Sequence, residues 1–335
     1  MKLKIKNASI GYIDNGKVNT VKNNINLQAS NGDIIALLGG NGIGKSTLLR
    51  SIIGIQPLLD GDILYDNKNI KNYSKQSWSR KISYVSTEQV FVPNMTVYDI
   101  VSLGRFPYTG WLGRLKAEDT RMVKDAMNKV GVLQFREREV STLSDGEKQR
   151  VMIARALAQD TEIVILDEPT AFLDLPNKYE IIYLLKHLAR TMGKIIIFST
   201  HDFNIASHEV DKLWLVTKEL CVEGAPEDMM LNKTVESLFQ SDKIEFDLKK
   251  GDFVSIHTPK LWVNLPQWLS NTSFMVIEKA LSRIHVAITS EATLLSIDYD
   301  NGKWLLTDQD RDIVASYESI YLLCRALNEY LNLMQ

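Results

Sequence analysis

The run Gly39-Gly40-Asn41-Gly42-Ile43-Gly44-Lys45-Ser46 sets glycines, a lysine and a hydroxyl at the spacing G-x-x-x-x-G-K-[ST]. These residue types suit phosphate binding. Glycines let the backbone turn tightly and bring its N–H groups against phosphate oxygens. Lys45 would reach the terminal phosphates, and the Ser46 hydroxyl would ligate Mg²⁺. Far downstream, Asp167 and Glu168 close the apolar run Glu162-Ile163-Val164-Ile165-Leu166. In the same sheet as a phosphate loop, Asp167 would hold the metal shell. Glu168 would orient or polarise an attacking water as a general base. The segment Leu143-Ser144-Asp145-Gly146-Glu147 reads as a capped helix start, with Ser144 as N-cap and Glu147 three residues on. Such an N-terminus can also bind phosphate.

These groups need elements to hold them. The apolar run Ile34–Leu38 reads as a buried strand and Thr47–Ile53 as a helix, so the phosphate loop joins a strand to a helix N-terminus. From residue 144 the pattern is helix 145–158, strand 162–166, helix 176–191 and strand 194–199. Alternating apolar strands and helices imply a parallel sheet covered on both faces. Two strand-like stretches flank Gly16, and helical spacing recurs over 97–103 and 117–131 around the loop Phe106-Pro107-Tyr108-Thr109-Gly110-Trp111.

Composition narrows the class. The 335 residues are 45% hydrophobic and 24% charged, with a formal net charge of −2, as in a soluble globular protein with no basic excess for nucleic acid. Two distant cysteines, Cys221 and Cys324, read as reduced thiols of the cytosol. No apolar run approaches the ~20 residues of a membrane span. The N-terminus alternates like a strand and lacks the core of a signal peptide, so a peripheral protein is expected. After about residue 255 the composition changes. Residues 261–335 read as a mildly acidic α+β unit: strand, helix 273–283, short strand, a hairpin across Asp300-Asn301-Gly302 and a helix over about 316–332. Trp262, Val276, Ile277, Leu281, Trp304, Leu323 and Leu327 are among its expected core positions.

In order and spacing, Gly39–Ser46, Leu143–Glu147 and Ile165-Leu166-Asp167-Glu168-Pro169 together resemble the nucleotide-binding subunit of an ABC transporter. The match runs from residue 1 to about 240. Leu143–Glu147 resembles the family signature Leu-Ser-Gly-Gly-Gln, departing from it at Asp145 and Glu147. Leu173-Asp174 resembles the D-loop, and Thr200-His201-Asp202 the segment of the switch histidine. Tyr12 resembles the aromatic residue that stacks on adenine; its alternative is an ordinary strand tyrosine. Where the family has a Gln after the strand 81–85, this chain has Thr87, Glu88 and Gln89, so either Gln89 joins the metal shell after a short shift or Thr87 replaces it. A narrower similarity, over Val101–Tyr108, Trp111–Leu115 and Ala117–Asp119, is to importers of iron chelates, haem and cobalamin.

The resemblance implies an α/β fold: a P-loop NTPase (ABC ATPase) domain over 1–255 with a mixed sheet and a helical subdomain at about 88–160, plus a small C-terminal α+β domain over 256–335. ATP and Mg²⁺ are the implied cofactors. Tyr12, Gly39, Gly40, Asn41, Gly42, Ile43, Gly44, Lys45, Ser46 and Thr47 would bind nucleotide, together with Ser144, Gly146 and Asp174 across a head-to-tail homodimer. Glu168, His201 and Lys45 would act on the reacting phosphate, and Ser46, Asp167 and Gln89 on the metal. The implied partners are membrane permease subunits and, indirectly, a periplasmic or surface substrate-binding protein, with the chain on the cytoplasmic face of the inner or plasma membrane. Residues 85–115 would dock on the permease, so charge reversal at Arg105 or Arg114 is expected to uncouple transport and spare ATPase activity. Two other readings stay open: the ATPase of an exporter or lipid transporter, and a soluble non-transport ABC ATPase. A single phosphate loop, a single signature and the absence of sustained heptads weigh against the last.

Overall fold

The computed structural model describes residues 2–14, 16–87, 93–110, 113–238, 241–248, 250–266, 268–291, 293–309 and 313–333. The chain forms two compact units, residues 1–240 with 246–252, and residues 241–245 with 253–335.

The first unit carries strands β1 (Leu3–Asp14), β2 (Lys17–Ala29) and β3 (Ile34–Leu38), helix α1 (Lys45–Ile52), strands β4 (Asp60–Tyr65) and β5 (Lys68–Asn69), and helix α2 (Lys75–Ser79). Next come β6 (Ile82–Val85), α3 (Val97–Ser102), α4 (Ala117–Lys129), α5 (Asp145–Ala158), β7 (Ile163–Leu166), α6 (Leu175–Met192), β8 (Ile195–Thr200) and α7 (Phe203–His208). It ends with β9 (Lys212–Val216), β10 (Cys221–Gly224) and α8 (Pro226–Leu231). One sheet has the order β10-β9-β3-β8-β7-β6, parallel except for the antiparallel edge strand β10. A second, antiparallel sheet has the order β2-β1-β4-β5. The sheet is therefore mixed.

Strand parity explains why the central strands are apolar throughout. Ile35, Leu37, Ile165, Ile197 and Trp214 face α1 and the second sheet, where Leu48, Leu49, Ile52, Ile5, Leu27 and Ile63 complete one core. Their neighbours Ile34, Ala36, Leu166, Ile196 and Phe198 are also fully buried, on the side of α6, whose Ile181, Ile182 and Leu185 are buried. Helix α1 thus lies between two sheets, which fixes the loop before it.

Helices α3, α4 and α5 pack on one another. Their anchor is Arg105, which is 5% exposed. Its Nε donates to Asp119 Oδ1 at 2.9 Å, its Nη1 donates to the Ala158 carbonyl at 2.8 Å, and its guanidinium lies 3.9 Å from the Tyr108 ring centroid. Burial opposes the Asp119 charge, yet hydrogen bonds from Lys116 N–H and Arg105 hold its carboxyl below the usual range. The expectation that Arg105 is a surface docking residue is corrected: it is a buried partner in an ion pair. Arg105→Glu places like charges together out of water, and should cost about 3–5 kcal/mol. Thermal unfolding should show a large fall in Tm with ATPase activity lost in parallel. Exposed Arg114 keeps the docking test.

The second unit holds β13 (Leu261–Val263), α9 (Asn271–Ser282), β14 (Val286–Ile288), β15 (Leu295–Asp300), β16 (Lys303–Asp308), β17 (Ile313–Tyr317) and α10 (Ile320–Leu333); β11 (Ile244–Asp247) and β12 (Asp252–Ser255) lie where the chain passes between units. Its core joins Val263, Val286, Leu295, Ile297, Trp304 and Leu306 to Ile277, Leu281, Leu323, Leu327 and Leu331. Trp262 and Val276, expected inside, are 50% and 53% exposed because they point away from the core-facing parity of β13 and face of α9. The final helix begins at Ile320 rather than 316, after Ser319, whose hydroxyl accepts from Leu322 N–H at 3.3 Å. Residues 313–317 instead pair with β16. No helix among the described residues is long and apolar enough to cross a membrane.

Candidate functional site

The loop between β3 and α1 forms a cleft of about 280 Å³ lined by Tyr12, Val21, Asn41, Gly42, Gly44, Lys45, Ser46, Thr47 and Glu168. Two glycines are obligatory. A Cβ on Gly39 would meet the Val216 carbonyl oxygen at 2.4 Å, and Gly44 has φ +107° with Val21 Cγ1 2.5 Å from its missing Cβ. The cradle therefore exists only with glycine at both positions. Gly44 is the N-cap of α1, and no acidic side chain occupies that helix's first turn, so its partial positive charge is uncancelled locally.

Lys45 is 6% exposed and donates to the carbonyls of Gly39 at 2.8 Å and Gly40 at 3.0 Å. Its Nζ is 3.8 Å from Glu168 Oε1. Burial pushes the Lys45 ammonium below its usual pKa, against the pull of Glu168 and Asp167. Glu168 Oε1 is also 3.8 Å from Nδ1 of His201, whose side chain is 60% exposed. Glu168 adopts φ 48°, a left-handed conformation that aims its side chain back over the loop. Tyr12 is half-exposed at the cleft rim, and its hydroxyl shares a 2.6 Å hydrogen bond with Thr47 Oγ1.

Parallel pairing of β7 with β8, with Leu166 opposite Phe198, brings Asp167 beside Ser199. Ser199, fully buried, donates to Asp167 Oδ1 at 2.6 Å and accepts from Glu168 N–H at 2.8 Å. One hydroxyl thus orients both acidic residues. Tyr84 OH donates to Asp167 Oδ2 at 3.3 Å, and Thr87 Oγ1 donates to the Asp167 carbonyl at 2.9 Å. Burial raises the Tyr84 phenol pKa, so that hydroxyl stays protonated as a donor. Ser199 and Tyr84 were missed by sequence reasoning; the available signal for Ser199 was a lone polar residue closing the run Ile195-Ile196-Ile197-Phe198. Thr87 is now fixed against Asp167, while Gln89 lies outside the described residues.

Ser144, Gly146 and Asp174 do not line this cleft. They form a second cluster at the starts of α5 and α6. Ser144 and Glu147 make the capping box, with Ser144 N–H donating to Glu147 Oε2 at 2.8 Å and Glu147 N–H to Ser144 Oγ at 3.3 Å. The Ser144 N–H and hydroxyl that donate to it hold the Glu147 carboxyl below its usual range, so its charge stays beside the helix start. Asp174 caps α6 by accepting from Asn177 N–H at 3.1 Å, and Asn177 Nδ2 donates to Asp174 Oδ1 at 2.6 Å. Asn177 Oδ1 would stand 3.0 Å from a Cβ on Gly146, so the two helix starts touch there. One turn along α6, Lys178 Nζ donates to Asp202 Oδ2 at 3.3 Å, next to His201.

The residues fit the groups they are expected to hold. The glycine cradle, the helix N-terminus and Lys45 suit a polyphosphate; Ser46 Oγ and the Asp167 carboxylate are hard oxygen donors suited to Mg²⁺.

The family pattern described as "ABC transporter" matches residues 22–171. The achromobactin transport ATP-binding protein of Dickeya dadantii is 36% identical over 71% of this chain and 87% of its own length. The iron(3+)-hydroxamate import ATP-binding protein of Bacillus subtilis is 34% identical over 72% of this chain and 88% of its own. A manganese transport system ATP-binding protein of Listeria innocua is 35% identical over 73% and 95%. Among solved structures, a dimeric bacterial ABC transporter cassette superposes with TM-score 0.59 at 27% identity, covering 67% of this chain and 98% of that one.

Proposed function

This chain belongs to the ABC transporter family as an ATP-binding subunit, and from that premise we propose that it drives import of a ferric chelate, hydrolysing ATP in a head-to-tail pair of copies bound to a membrane permease. The observation that carries the iron reading is the likeness to the achromobactin and iron(3+)-hydroxamate proteins over nearly nine-tenths of their lengths. Manganese is the second reading, favoured by the 35% identity to the Listeria innocua protein.

In this reading Gly39–Thr47 cradle the phosphates and Tyr12 stacks on adenine. Lys45 exchanges the carbonyls of Gly39 and Gly40 for phosphate oxygens. Ser46 and Asp167 would hold Mg²⁺, which would supply positive charge against the phosphates. Ser199 holds Asp167 and the Glu168 backbone in register, Glu168 takes a proton from the attacking water, and His201 steadies the terminal phosphate. Ser144, Gly146 and Asp174, which do not line the cleft of their own chain, serve the cleft of the second copy. Only the closed pair makes both sets of contacts, so binding free energy becomes closure. The permease meets the groove of about 690 Å³ between α2 and residues 106–110, where Phe106 is 74% exposed. The chain then sits peripherally on the cytoplasmic face of the membrane.

Uptake of radiolabelled iron, as a panel of ferric chelates and haem, set against labelled cobalamin and Mn²⁺, tests the cargo in cells whose own copy carries Glu168→Gln. Loss of ferric-chelate uptake alone is expected. Loss of Mn²⁺ uptake alone would replace iron with manganese, and unchanged uptake of every cargo would remove the importer reading.

A further inference from the structure

The second unit contains a groove of about 910 Å³ that the ATPase reading does not use. One wall is a single face of α9: Asn271, Phe274, Glu278 and Ser282 follow one another at helical spacing. The opposite wall is residues 285–290, six in succession, of which Val286–Ile288 are β14. Successive strand residues point to opposite faces of a sheet, so the three consecutive residues of β14 can line one groove only along their backbone edge.

That edge is open. β14 pairs with β13 on one side, and no strand among the described residues pairs with its other side. The ladder identifies the outward groups. His285 C=O accepts from Leu261 N–H at 3.4 Å, and Thr289 N–H donates to Val263 C=O at 3.0 Å. With Leu261 opposite Val286 and Val263 opposite Ile288, a parallel ladder turns Ala287 toward β13. The N–H and C=O groups of Val286 and Ile288 therefore face the groove. Such an edge is a template for a further strand.

The charge of the walls selects the strand. Among the described residues, Glu278 is the one carboxylate lining the groove, beside His257 and His285, no Lys or Arg lines it, and Glu278 has no ion-pair partner. Residues 261–335 carry nine Asp and Glu against five Lys and Arg. Leu265, Pro266, Leu269 and Phe274 add an apolar end. Cytoplasmic segments beside membrane spans are rich in Lys and Arg.

We infer that this groove binds an extended, basic cytoplasmic segment of the permease, added as a strand to the β14 edge with a Lys or Arg against Glu278. The inference rests on the importer reading for the identity of the partner. Five residues of strand span about 16 Å, enough for two outward-facing hydrogen-bonded residues and an apolar contact.

The test uses the full chain and a fluorescent acetyl-Lys-Val-Lys-Val-Lys-amide, read by polarisation, against its glutamate counterpart. The lysine peptide should bind at least tenfold tighter, and Glu278→Lys should reverse that preference. Ile288→Pro removes one outward N–H from an edge strand, where proline is tolerated. It should weaken the lysine peptide about tenfold while circular dichroism and ATPase activity stay unchanged. Equal binding of both peptides, or indifference to Ile288→Pro, overturns the strand-addition site. Separately, Ile288→Cys in a Cys221→Ser, Cys324→Ser background should cross-link to a basic segment of the co-purified permease. Peptide binding without that cross-link overturns the permease as occupant; failure of any permease to co-purify overturns the importer reading itself.

Discussion

Glu168→Gln is expected to bind ATP normally and to hydrolyse it at least 10²-fold more slowly, up to about 10⁴-fold, the range of a positioned general base. The substitution keeps the side chain's size and hydrogen-bonding reach but removes its ability to take a proton. The backbone hydrogen bond from Glu168 N–H to Ser199 is untouched, so the left-handed turn that aims the residue survives. Because closure needs only bound ATP, the variant should accumulate as an ATP-trapped dimer. Size-exclusion chromatography with Mg²⁺-ATP and single-turnover phosphate release check both halves. Near-normal turnover would remove the base role, and a monomer that binds ATP would remove the paired mechanism. His201, 3.8 Å from the same carboxylate and well exposed, should give a smaller loss when changed to Ala.

Lys45→Ala should act one step earlier, on binding. Its ammonium lies inside the cradle, held by two carbonyls and facing Glu168. Burial lowers its pKa, so the site already opposes the charge it keeps, and a phosphate anion relieves that opposition. Losing charge-assisted hydrogen bonds worth about 1.5–3 kcal/mol should weaken ATP binding by roughly 10- to 100-fold and abolish turnover. Removing the ammonium also removes the cost of burying it, which offsets the lost 3.8 Å attraction to Glu168, so the folded chain should not lose stability in step with affinity. Calorimetric titration with Mg²⁺-ATP and thermal unfolding separate the two. Wild-type affinity would overturn the phosphate-loop assignment.

Much of this was legible before the fold was known, because the informative groups are contiguous. A phosphate cradle is built from neighbouring backbone N–H groups, so Gly39–Ser46 carries its own geometry. The capping box at Ser144 and Glu147, and the starts of α5 and α6, are likewise local hydrogen bonds between residues three apart. Apolar period and length sufficed for β3, β7 and β8.

What the chain alone could not reveal depends on pairs far apart in sequence. Ser199 matters only because β7 and β8 are adjacent and in parallel register, which sets its hydroxyl 2.6 Å from Asp167. Arg105 resembles any basic loop residue until Asp119 and the Ala158 carbonyl close over it. Residues 313–317 become a strand because β16 offers a ladder, which takes Ser316 and Tyr317 from the helix read over about 316–332. The open edge of β14 is a property of strand order, which no local window contains. Sequence by itself determined the family, the phosphate chemistry and the strands and helices next to the phosphate loop and Asp167, because these rest on short-range backbone and side-chain geometry. Tertiary structure decided which polar side chains are buried partners, which apolar ones stay outside and where a sheet is left unfinished, because burial and hydrogen-bond satisfaction are settled only when distant segments meet.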